Sequence, residues 1–497
     1  LLDRLRQRGE RRLRQRLTRA PPGQSPGGSI SYVPVPPYTR MCASGHAILA
    51  RVLPTLSCFV SRPVKPLIHQ LLLLLLLLVM CAVVYMPGLQ GPMLHDDFPQ
   101  LSGLLSAQSA DWRQLSDAYL MSDSGYLGRP VSMASFIANA ILHGGELRDW
   151  KATNLLIHAL TAIVVFFLAR VLLRASPSSI RPEQAGWLAL LVAGLWLLHA
   201  LHVSTVLYTV QRMAQLSTLF VLAGLLLYSS GRLRQMTARG KGGWQIALAF
   251  LVCLPLAMFS KENGILLLLL VPLVEVLVFR GAGLPVIRSG SWRIWPALML
   301  LPLLAGVLYL LLHADHFLVN GYASKDFTPL ERLLTQPRVL VRYLYQLLVP
   351  LPGLMGFYHD DMAVSKGLMT PVTTSGSIVL LAALVALAVM LRRRQPVIAL
   401  GILFFLVSHL LESTILPLDL MFEHRNYLAS FGVLLALVAL LAQLIRHPRV
   451  LAAAGIVLLL SWSSLTVVRA GIWGSPSLLA AHTAAVHPDS KHRTARH

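Results

Sequence analysis

Apolar stretches of membrane-spanning length recur along this chain, separated by short polar segments. A helix needs about 20 apolar residues to cross a bilayer, and eleven stretches approach that length. We predict spans at residues 67–86, 154–173, 185–198, 211–228, 244–259, 264–279, 295–312, 377–391, 397–416, 427–445 and 450–468. The pattern predicts an all-α fold, a polytopic membrane bundle of about eleven transmembrane helices.

The polar segments alternate between two kinds. One kind is rich in Arg and Lys: Arg170, Arg174 and Arg181; Arg232, Arg234, Arg239 and Lys241; Arg280, Arg288 and Arg293; Arg392, Arg393 and Arg394; Arg446 and Arg449. Such loops stay on the cytoplasmic side of a membrane. We therefore expect a cytoplasmic amino terminus and place the other loops, which carry mixed acids, bases and histidines, on the opposite face.

Composition supports a membrane protein over a soluble one. Of 497 residues, 55% are hydrophobic and only 13% charged, against about 25% charged in soluble domains. A net charge of +22 would favour nucleic acid as the partner of a soluble protein. Here the basic residues follow the loop topology and an Arg-rich amino-terminal segment. We expect the lipid bilayer as a partner and no nucleic acid.

The spans divide the chain into three regions. Residues 1–66 form a basic cytoplasmic segment, either a disordered tail or translated upstream sequence, or a tether to anionic lipid. Residues 67–468 form the bundle, with large external segments at 89–151 and 313–376, and residues 469–497 form an external tail. In the first external loop, 98–120 has the spacing of an interfacial amphipathic helix. The apolar stretch 131–142 is too short to span and predicts a second juxtamembrane helix.

The first external loop also holds the adjacent carboxylates Asp96 and Asp97. Neighbouring side chains on a loop cannot both point the same way, so one can face a substrate while the other orients a neighbour or binds a cation. A carboxylate at a low-dielectric boundary has a raised proton affinity, which suits a general base. A solvated acid pair of the kind common in external loops is the alternative.

Other polar groups sit at the same ends of the predicted spans. His199 and His202 share a helical face, and Asn154 and His158 share another, where hydrogen bonding between helices explains them equally well. Ionisable residues at membrane depth usually face a cavity. The remaining candidates are Gln211 and Arg212, Lys261 and Glu262, and Glu423, His424 and Arg425. Glu412, inside the span 397–416, needs a partner such as His409 or an arginine.

Known cofactor motifs are missing from the sequence. It has neither a P-loop nor the glycine-rich dinucleotide fingerprint, and no Cys or His spacing for structural zinc. The sequence therefore does not indicate a specific cofactor. A divalent cation beside Asp96 and Asp97 is compatible with the pattern but not required by it.

The order of these motifs resembles the GT-C superfamily of integral-membrane glycosyltransferases. In finer detail it is similar to the transmembrane and tetratricopeptide-repeat O-mannosyltransferases and to bacterial pilin-type O-glycosyltransferases. The likeness runs from about Leu71 to Pro488, although no tetratricopeptide array is present, which leaves the acceptor open. The matching segments are Asp96-Asp97, Gly128-Arg129-Pro130-Val131, Asn154-Leu155-Leu156-Ile157-His158, His199-Ala200-Leu201-His202-Val203, Gln211-Arg212, Ser260-Lys261-Glu262-Asn263-Gly264 and Glu423-His424-Arg425-Asn426-Tyr427.

The resemblance implies a sugar donor linked to polyprenyl phosphate and an active site at the periplasmic face of a bacterial inner membrane. Asp96 or Asp97 would deprotonate an acceptor hydroxyl on a protein or glycan. Basic groups such as Arg212, Lys261 and Arg425 would stabilise the leaving phosphate. The full set of expected substrate-binding residues is Arg129, His158, His199, His202, Gln211, Arg212, Lys261, Glu262, Glu423, His424 and Arg425.

Two other function classes fit the same pattern. A glycan polymerase or ligase would use a saccharide or lipid acceptor with the same donor chemistry. A transporter or flippase would use the polar groups as a pathway, and transporters commonly show internal repeats. We find no such repeat in the sequence, and the long amphipathic external loop suits an enzyme better.

Overall fold

In the computed structural model, the described residues form helices joined by turns, without a strand. The structure describes residues 64–107, 111–120, 128–176, 180–237, 242–280, 301, 304–309, 311–315, 319–488 and 490. The predicted basic segment 1–66 lies almost wholly outside this set. The all-α prediction is confirmed for the described part of the chain.

The helices are labelled here in chain order. They are α1 (Val64–Tyr85), α2 (Asp97–Ser106), α3 (Trp112–Tyr119), α4 (Pro130–His143), α5 (Leu147–Ala175), α6 (Ala185–Leu197), α7 (Arg212–Thr237), α8 (Gly243–Ser260), α9 (Glu262–Phe279), α10 (Pro329–Leu348), α11 (Thr373–Leu391), α12 (Pro396–Ser408), α13 (Asn426–Leu444), α14 (Pro448–Trp473) and α15 (Pro476–Val486).

Within the described residues, eight helical segments are long and apolar enough to cross a membrane. They contain α1, α5, α7, α8, α9, α11, α13 and α14. A ninth arises if α6 and the segment Ala200–Val206, which meet at 46°, count as one broken span. Half of the predicted span 295–312 lies outside the described residues. The chain is thus a multi-pass membrane protein, and the total of about eleven spans stays a prediction.

The two kinds of loop lie at opposite ends of the long helices. Helix α7 has 26 residues, which gives a length of about 39 Å, more than the roughly 30 Å of a bilayer core. It begins at Arg212 and carries Arg232 and Arg234 near its other end. At that basic end, Arg280 donates to the carbonyl oxygens of Arg392 and Arg393 at 3.2 and 3.0 Å. Two of the predicted basic loops therefore meet there.

Helices α12 and α13 pack through two glycines. A Cβ built on Gly401 would lie 2.3 Å from the carbonyl oxygen of Gly432, and one built on Gly432 would lie 2.7 Å from that of Gly401. Small residues let helix backbones approach closely inside a membrane. This crossing fixes the position of α13, and with it the Glu423–Arg425 turn that precedes α13.

The first external loop differs in part from the prediction. The single amphipathic helix expected over 98–120 is instead two helices, α2 and α3. Asp111 begins α3 with a capping box, in which its side chain accepts from the Gln114 N–H and Gln114 returns a bond to Asp111 N. This cap stabilises a new helix start. The juxtamembrane helix predicted over 131–142 is present as α4.

The two ends of the bundle give a test of membrane topology. In a background without native cysteines, Asp360→Cys and Arg393→Cys place single exposed thiols at the candidate-site end and the basic end. A membrane-impermeant maleimide applied to sealed, oriented vesicles should label these variants from opposite sides. Labelling of both from one side would contradict the arrangement.

Candidate functional site

A cavity of about 340 Å³ opens where the polar ends of several helices meet. Its walls come from the turn before α2, the starts of α4 and α7, the turn between α8 and α9, and the loop between α12 and α13. The polar residues lining it are Asp96, Gln100, Arg129, Gln211, Lys261, Glu262, Asn263, Lys325, Glu412, Asp419, His424 and Arg425. The fold therefore gathers charged groups that are far apart in the sequence.

The cavity brings together about half of the predicted site residues. Those lining it are Asp96, Arg129, Gln211, Lys261, Glu262, His424 and Arg425. The others are buried among neighbouring helices and do not line it: Asp97, His158, His199, His202, Arg212 and Glu423.

The two adjacent aspartates have different surroundings. The Asp96 side chain is 50% exposed, and its carboxylate lies 3.5 Å from His95 Nε2. The Asp97 side chain points inward and accepts backbone N–H bonds from Leu94 at 3.0 Å and Val210 at 2.7 Å. Asp96 is thus the carboxylate that a substrate can reach, while Asp97 fixes the turn before α2 to the turn before α7.

Two further contacts hold this turn in place. Asp96 N–H donates to the Tyr208 hydroxyl at 2.8 Å. The buried Lys151 ammonium donates to the carbonyl oxygens of Gly91 at 2.7 Å and Pro92 at 3.1 Å. Neither Tyr208 nor Lys151 is singled out by the sequence, because their partners are backbone groups on a distant segment.

Burial raises the pKa of Asp97 to about 7, although the two N–H donors and the Lys151 ammonium oppose the rise. An acid whose pKa is higher in the folded state keeps a proton that the unfolded chain has lost. Between about pH 4 and pH 7, rising pH should therefore lower the free energy of unfolding through this group.

Arg129 enters the cavity from a strained backbone position. It precedes α4 with φ of 49°, a left-handed conformation that is uncommon outside glycine. Its guanidinium contacts the Glu262 carboxylate through Nη2 at 2.9 Å and Nε at 3.2 Å. Such two-point pairing is geometrically specific. Strain of this kind persists where the surroundings enforce it, and this ion pair is one such contact.

Lys261 and Arg425 share one carboxylate. Lys261 Nζ lies 3.1 Å from Glu412 Oε1, and Arg425 Nε lies 3.8 Å from Glu412 Oε2. The expected arginine partner for Glu412 is thus found, together with a lysine. The predicted span 397–416 is wrong over its second half, because α12 ends at Ser408 and Glu412 lies in the loop that follows. A buried acid paired with two cations from other segments fits this loop better than a lipid-facing helix.

Arg332 of α10 holds the backbone of this loop in place. Its fully buried guanidinium donates to the carbonyl oxygens of Thr414 at 2.9 Å, Asp419 at 2.9 Å and Glu412 at 2.6 Å. Burial lowers the pKa of Arg332 to about 10, and the charge of Arg425 adds to this. Arg332 therefore remains cationic at neutral pH and fixes the backbone that carries Glu412.

A second ion pair lies at the edge of the cavity. Lys325 Nζ is 2.7 Å from Asp419 Oδ1, and the Asp419 side chain is half exposed. The pair joins the segment before α10 to the loop before α13. The sequence gives no local signal for it, because the partners belong to two separate external segments.

The predicted histidines form a buried cluster away from the cavity. His158 lies 2.7 Å from the Tyr427 hydroxyl and 2.9 Å from the Leu197 carbonyl oxygen. His202 lies 3.0 Å from Ser430 Oγ, and His199 lies 3.0 Å from the carbonyl oxygen of Leu347. The contacts of His158 cross from α5 to α13 and to the end of α6, so hydrogen bonding between helices accounts for its geometry.

Arg212 is also held inside the bundle. Its guanidinium donates to Asn154 Oδ1 at 2.7 Å, Ser135 O at 3.0 Å and Trp150 O at 2.9 Å, and it lies over the Phe136 ring. The side chain has no exposed surface. Arg212 thus orients the start of α7, which presents the neighbouring Gln211 to the cavity.

Glu423 pairs with Arg469, an arginine that no local sequence pattern indicates. Its carboxylate contacts Arg469 Nη2 of α14 and accepts from Gly356 N at 2.9 Å, with His359 Nε2 at 3.1 Å. Both charged side chains are almost fully buried. This network joins α14, the loop before α11 and the turn before α13 that also carries Arg425.

The metal hypothesis gains no geometric support. Within the described residues, no group of three or more His, Cys, Asp or Glu side chains is arranged to hold a metal ion. A cation beside Asp96 and Asp97 therefore stays a prediction from the sequence.

Comparison with known proteins yields no relative. No protein-family model matches the chain, and no curated protein or solved structure is similar to it. Function is therefore inferred from the residues of the cavity.

The two aspartates should differ in their effect on stability. Asp97→Asn offers one oxygen where two N–H groups need acceptors, and an unsatisfied buried donor costs about 1–3 kcal/mol. The variant should melt at a lower temperature than wild type, with a shallower fall in stability between about pH 4 and pH 7.

Thermal unfolding in lipid nanodiscs across this pH range measures both effects. Asp96→Asn serves as the matched control and should melt close to wild type, since its side chain is half exposed. Equal destabilisation by both substitutions would contradict the assignment.

Proposed function

We propose that this chain is a membrane glycosyltransferase of the GT-C type, which moves a sugar from a polyprenyl-phosphate donor to an acceptor hydroxyl. The observation that supports the proposal is one cavity lined by an exposed carboxylate, Asp96, together with two cationic side chains, Lys261 and Arg425. Eight helical segments among the described residues are apolar enough to cross a membrane, and the proposal places the lipid-linked donor in the surrounding bilayer.

The reaction needs one base and one site for a leaving anion. The acceptor oxygen attacks the anomeric carbon, and its proton passes to the Asp96 carboxylate. The bond between the anomeric carbon and the phosphate oxygen breaks, and polyprenyl phosphate leaves with the electron pair. Attack opposite the leaving group inverts the anomeric configuration. The products are the glycosylated acceptor and the free lipid phosphate.

The roles of base and anion site fall to residues of the cavity. Asp96 is the base, because Asp97 is occupied by two backbone N–H groups. Lys261 and Arg425 stabilise charge on the leaving phosphate, as preorganised cations do in a partly dry site. Arg212, which the resemblance also implies for this task, has its guanidinium bonded to three groups of α4 and α5, so the proposal assigns it to positioning Gln211.

The distribution of basic loops supports a periplasmic position for the cavity, with the amino terminus in the cytoplasm of a bacterium. The acceptor in this proposal is a protein hydroxyl, a pilin being one example. A glycan polymerase or ligase would use the same base and anion site with a saccharide or lipid acceptor, so acceptor identity is decided by assay.

Transfer by the purified protein in proteoliposomes tests the proposal. Wild type should move labelled sugar from a polyprenyl-phosphate donor to a hydroxyl-bearing peptide or saccharide. Asp96→Asn should lower turnover at least about 100-fold, the usual contribution of a general base. Asp117→Asn, an exposed acid on α3, is the control and should leave turnover unchanged.

Two results would count against this function. Undiminished transfer by the Asp96→Asn variant would remove the base assignment. Movement of the lipid-linked sugar across sealed vesicles without covalent transfer would indicate a flippase instead.

A further inference from the structure

A second cavity, of about 430 Å³, forms a groove between α1, α6 and α14. The side chains that line it are apolar except for Gln184. Several of them are open to the surroundings: Trp187 at the start of α6 is 45% exposed, and Ile456 of α14 is 57% exposed. Helices α1 and α14 are long and apolar enough to cross a membrane, and α6 is half of the broken span. The groove therefore faces the lipid.

The groove has the depth of one leaflet. It begins at Pro448, the first residue of α14, and reaches Leu459, which is about 16 Å along the helix axis. A bilayer core is about 30 Å thick, so one leaflet covers about half of that distance. At the inner end, a Cβ built on Gly194 of α6 would lie 2.8 Å from Leu459 Cδ2 and 3.1 Å from Leu77 Cδ1. These contacts close the groove near the middle of the membrane.

The outer end of the groove carries exposed arginines. Arg446 and Arg449 lie within two residues of Pro448, and Arg181 lies three residues before Gln184. The Gln184 backbone N–H donates to the Arg181 carbonyl oxygen at 2.9 Å, so the two residues belong to one turn. All three guanidinium groups therefore belong to the segments that form the end of the groove.

The charges at this end do not cancel. Glu183 is the neighbouring acid, so with His447 neutral the three arginines and one glutamate have a net charge of +2. None of these side chains makes an ion pair or a hydrogen bond with another described residue. The other described acid at the basic end of the bundle, Glu275, is already paired with Arg232. The outer end of the groove therefore favours an anion.

We propose that the groove binds an anionic glycerophospholipid, with one acyl chain between α1, α6 and α14 and the headgroup phosphate beside Arg446 and Arg449. Basic residues next to clefts between transmembrane helices are typical of such lipid sites. The lipid belongs to the leaflet at the basic end of the bundle. A ligand that binds only the folded protein also stabilises it, so this lipid holds α14 against α1 and α6.

The depth and position of the groove exclude two other occupants from the proposal. A partner transmembrane helix would follow the full thickness of the bilayer, whereas the groove ends at Gly194. A polyprenyl-phosphate donor has to reach the candidate site, which lies at the opposite end of the bundle. The inference is therefore independent of the proposed glycosyltransferase.

One pair of variants tests the acyl-chain site. Ala452 lines the groove, so Ala452→Trp should fill it. Ala453 is exposed on the same helix and does not line the groove. Ala453→Trp is therefore the matched control, with the same added bulk on the lipid-facing surface. Gel filtration and thermal melting report whether each variant is folded.

A second pair tests the headgroup site. The double variant Arg446→Gln/Arg449→Gln removes two charges at the outer end of the groove. The double variant Arg392→Gln/Arg393→Gln is its control, because it removes two exposed charges at the same end of the bundle, from the turn between α11 and α12. The groove itself is unchanged in both double variants.

Lipid retention by the full-length protein measures the site. The protein is reconstituted with equal amounts of phosphatidylglycerol and phosphatidylcholine that have the same acyl chains, and the lipids that stay bound are identified by native mass spectrometry. Wild type and both controls should retain phosphatidylglycerol at least about tenfold more than phosphatidylcholine, since each of two arginines contributes about fivefold. Arg446→Gln/Arg449→Gln should lose this preference, and Ala452→Trp should lose the retained phosphatidylglycerol.

Three results would overturn the lipid site. The first is equal retention of the two lipids by wild type. The second is a preference that Arg446→Gln/Arg449→Gln leaves as strong as its control does, and this variant decides the question if Ala452→Trp does not fold. The third is unchanged lipid retention by Ala452→Trp together with loss of a dimer, which would assign the groove to a second copy of the chain.

Discussion

Charges at the end of an apolar helix bundle must be paired, and the sharing of Glu412 by Lys261 and Arg425 is the interaction on which the cavity depends. The three residues come from the turn between α8 and α9, the start of α13 and the loop between α12 and α13. One carboxylate therefore ties together three segments of the cavity wall. Removing one partner of such a group leaves a buried charge uncompensated, which is strongly destabilising. Arg332 holds the same loop through its backbone carbonyls.

Neighbouring residues in the polar motifs have separate tasks. Asp96 lines the cavity, whereas Asp97 is buried against backbone N–H groups. Gln211 lines the cavity, whereas the next residue, Arg212, is fully buried and bonded to α4 and α5. In each motif one side chain is held by the fold and the adjacent one is presented to the cavity. Buried members such as Asp97 and Arg212 therefore add charge to the polar motifs without lining the cavity.

The sequence predicts the helices well and the partners of its charges poorly. Apolar runs locate most of the spans and the short juxtamembrane helix α4, because the signal is local. Helix α12 ends earlier than its apolar run suggests, since Glu412 finds its cations on other segments. Arg332 and Arg469 could not be identified, because their partners are backbone carbonyls and a carboxylate distant in sequence. The sequence identifies Asp96 and Asp97 as an adjacent pair of candidate bases. Only the folded turn shows that Asp96 lines the cavity and that Asp97 is buried.

We propose that the cavity binds the phosphate of a lipid-linked sugar between Lys261 and Arg425, next to Asp96. An experimental structure of the protein in lipid nanodiscs, with a non-hydrolysable donor analogue bound, would show where this phosphate lies. We expect phosphate oxygens within about 3 Å of Lys261 Nζ and the Arg425 guanidinium, with the anomeric carbon facing Asp96. A phosphate bound at the basic end of the bundle, or a cavity whose lysine and arginine make no contact with the analogue, would rule out this binding site.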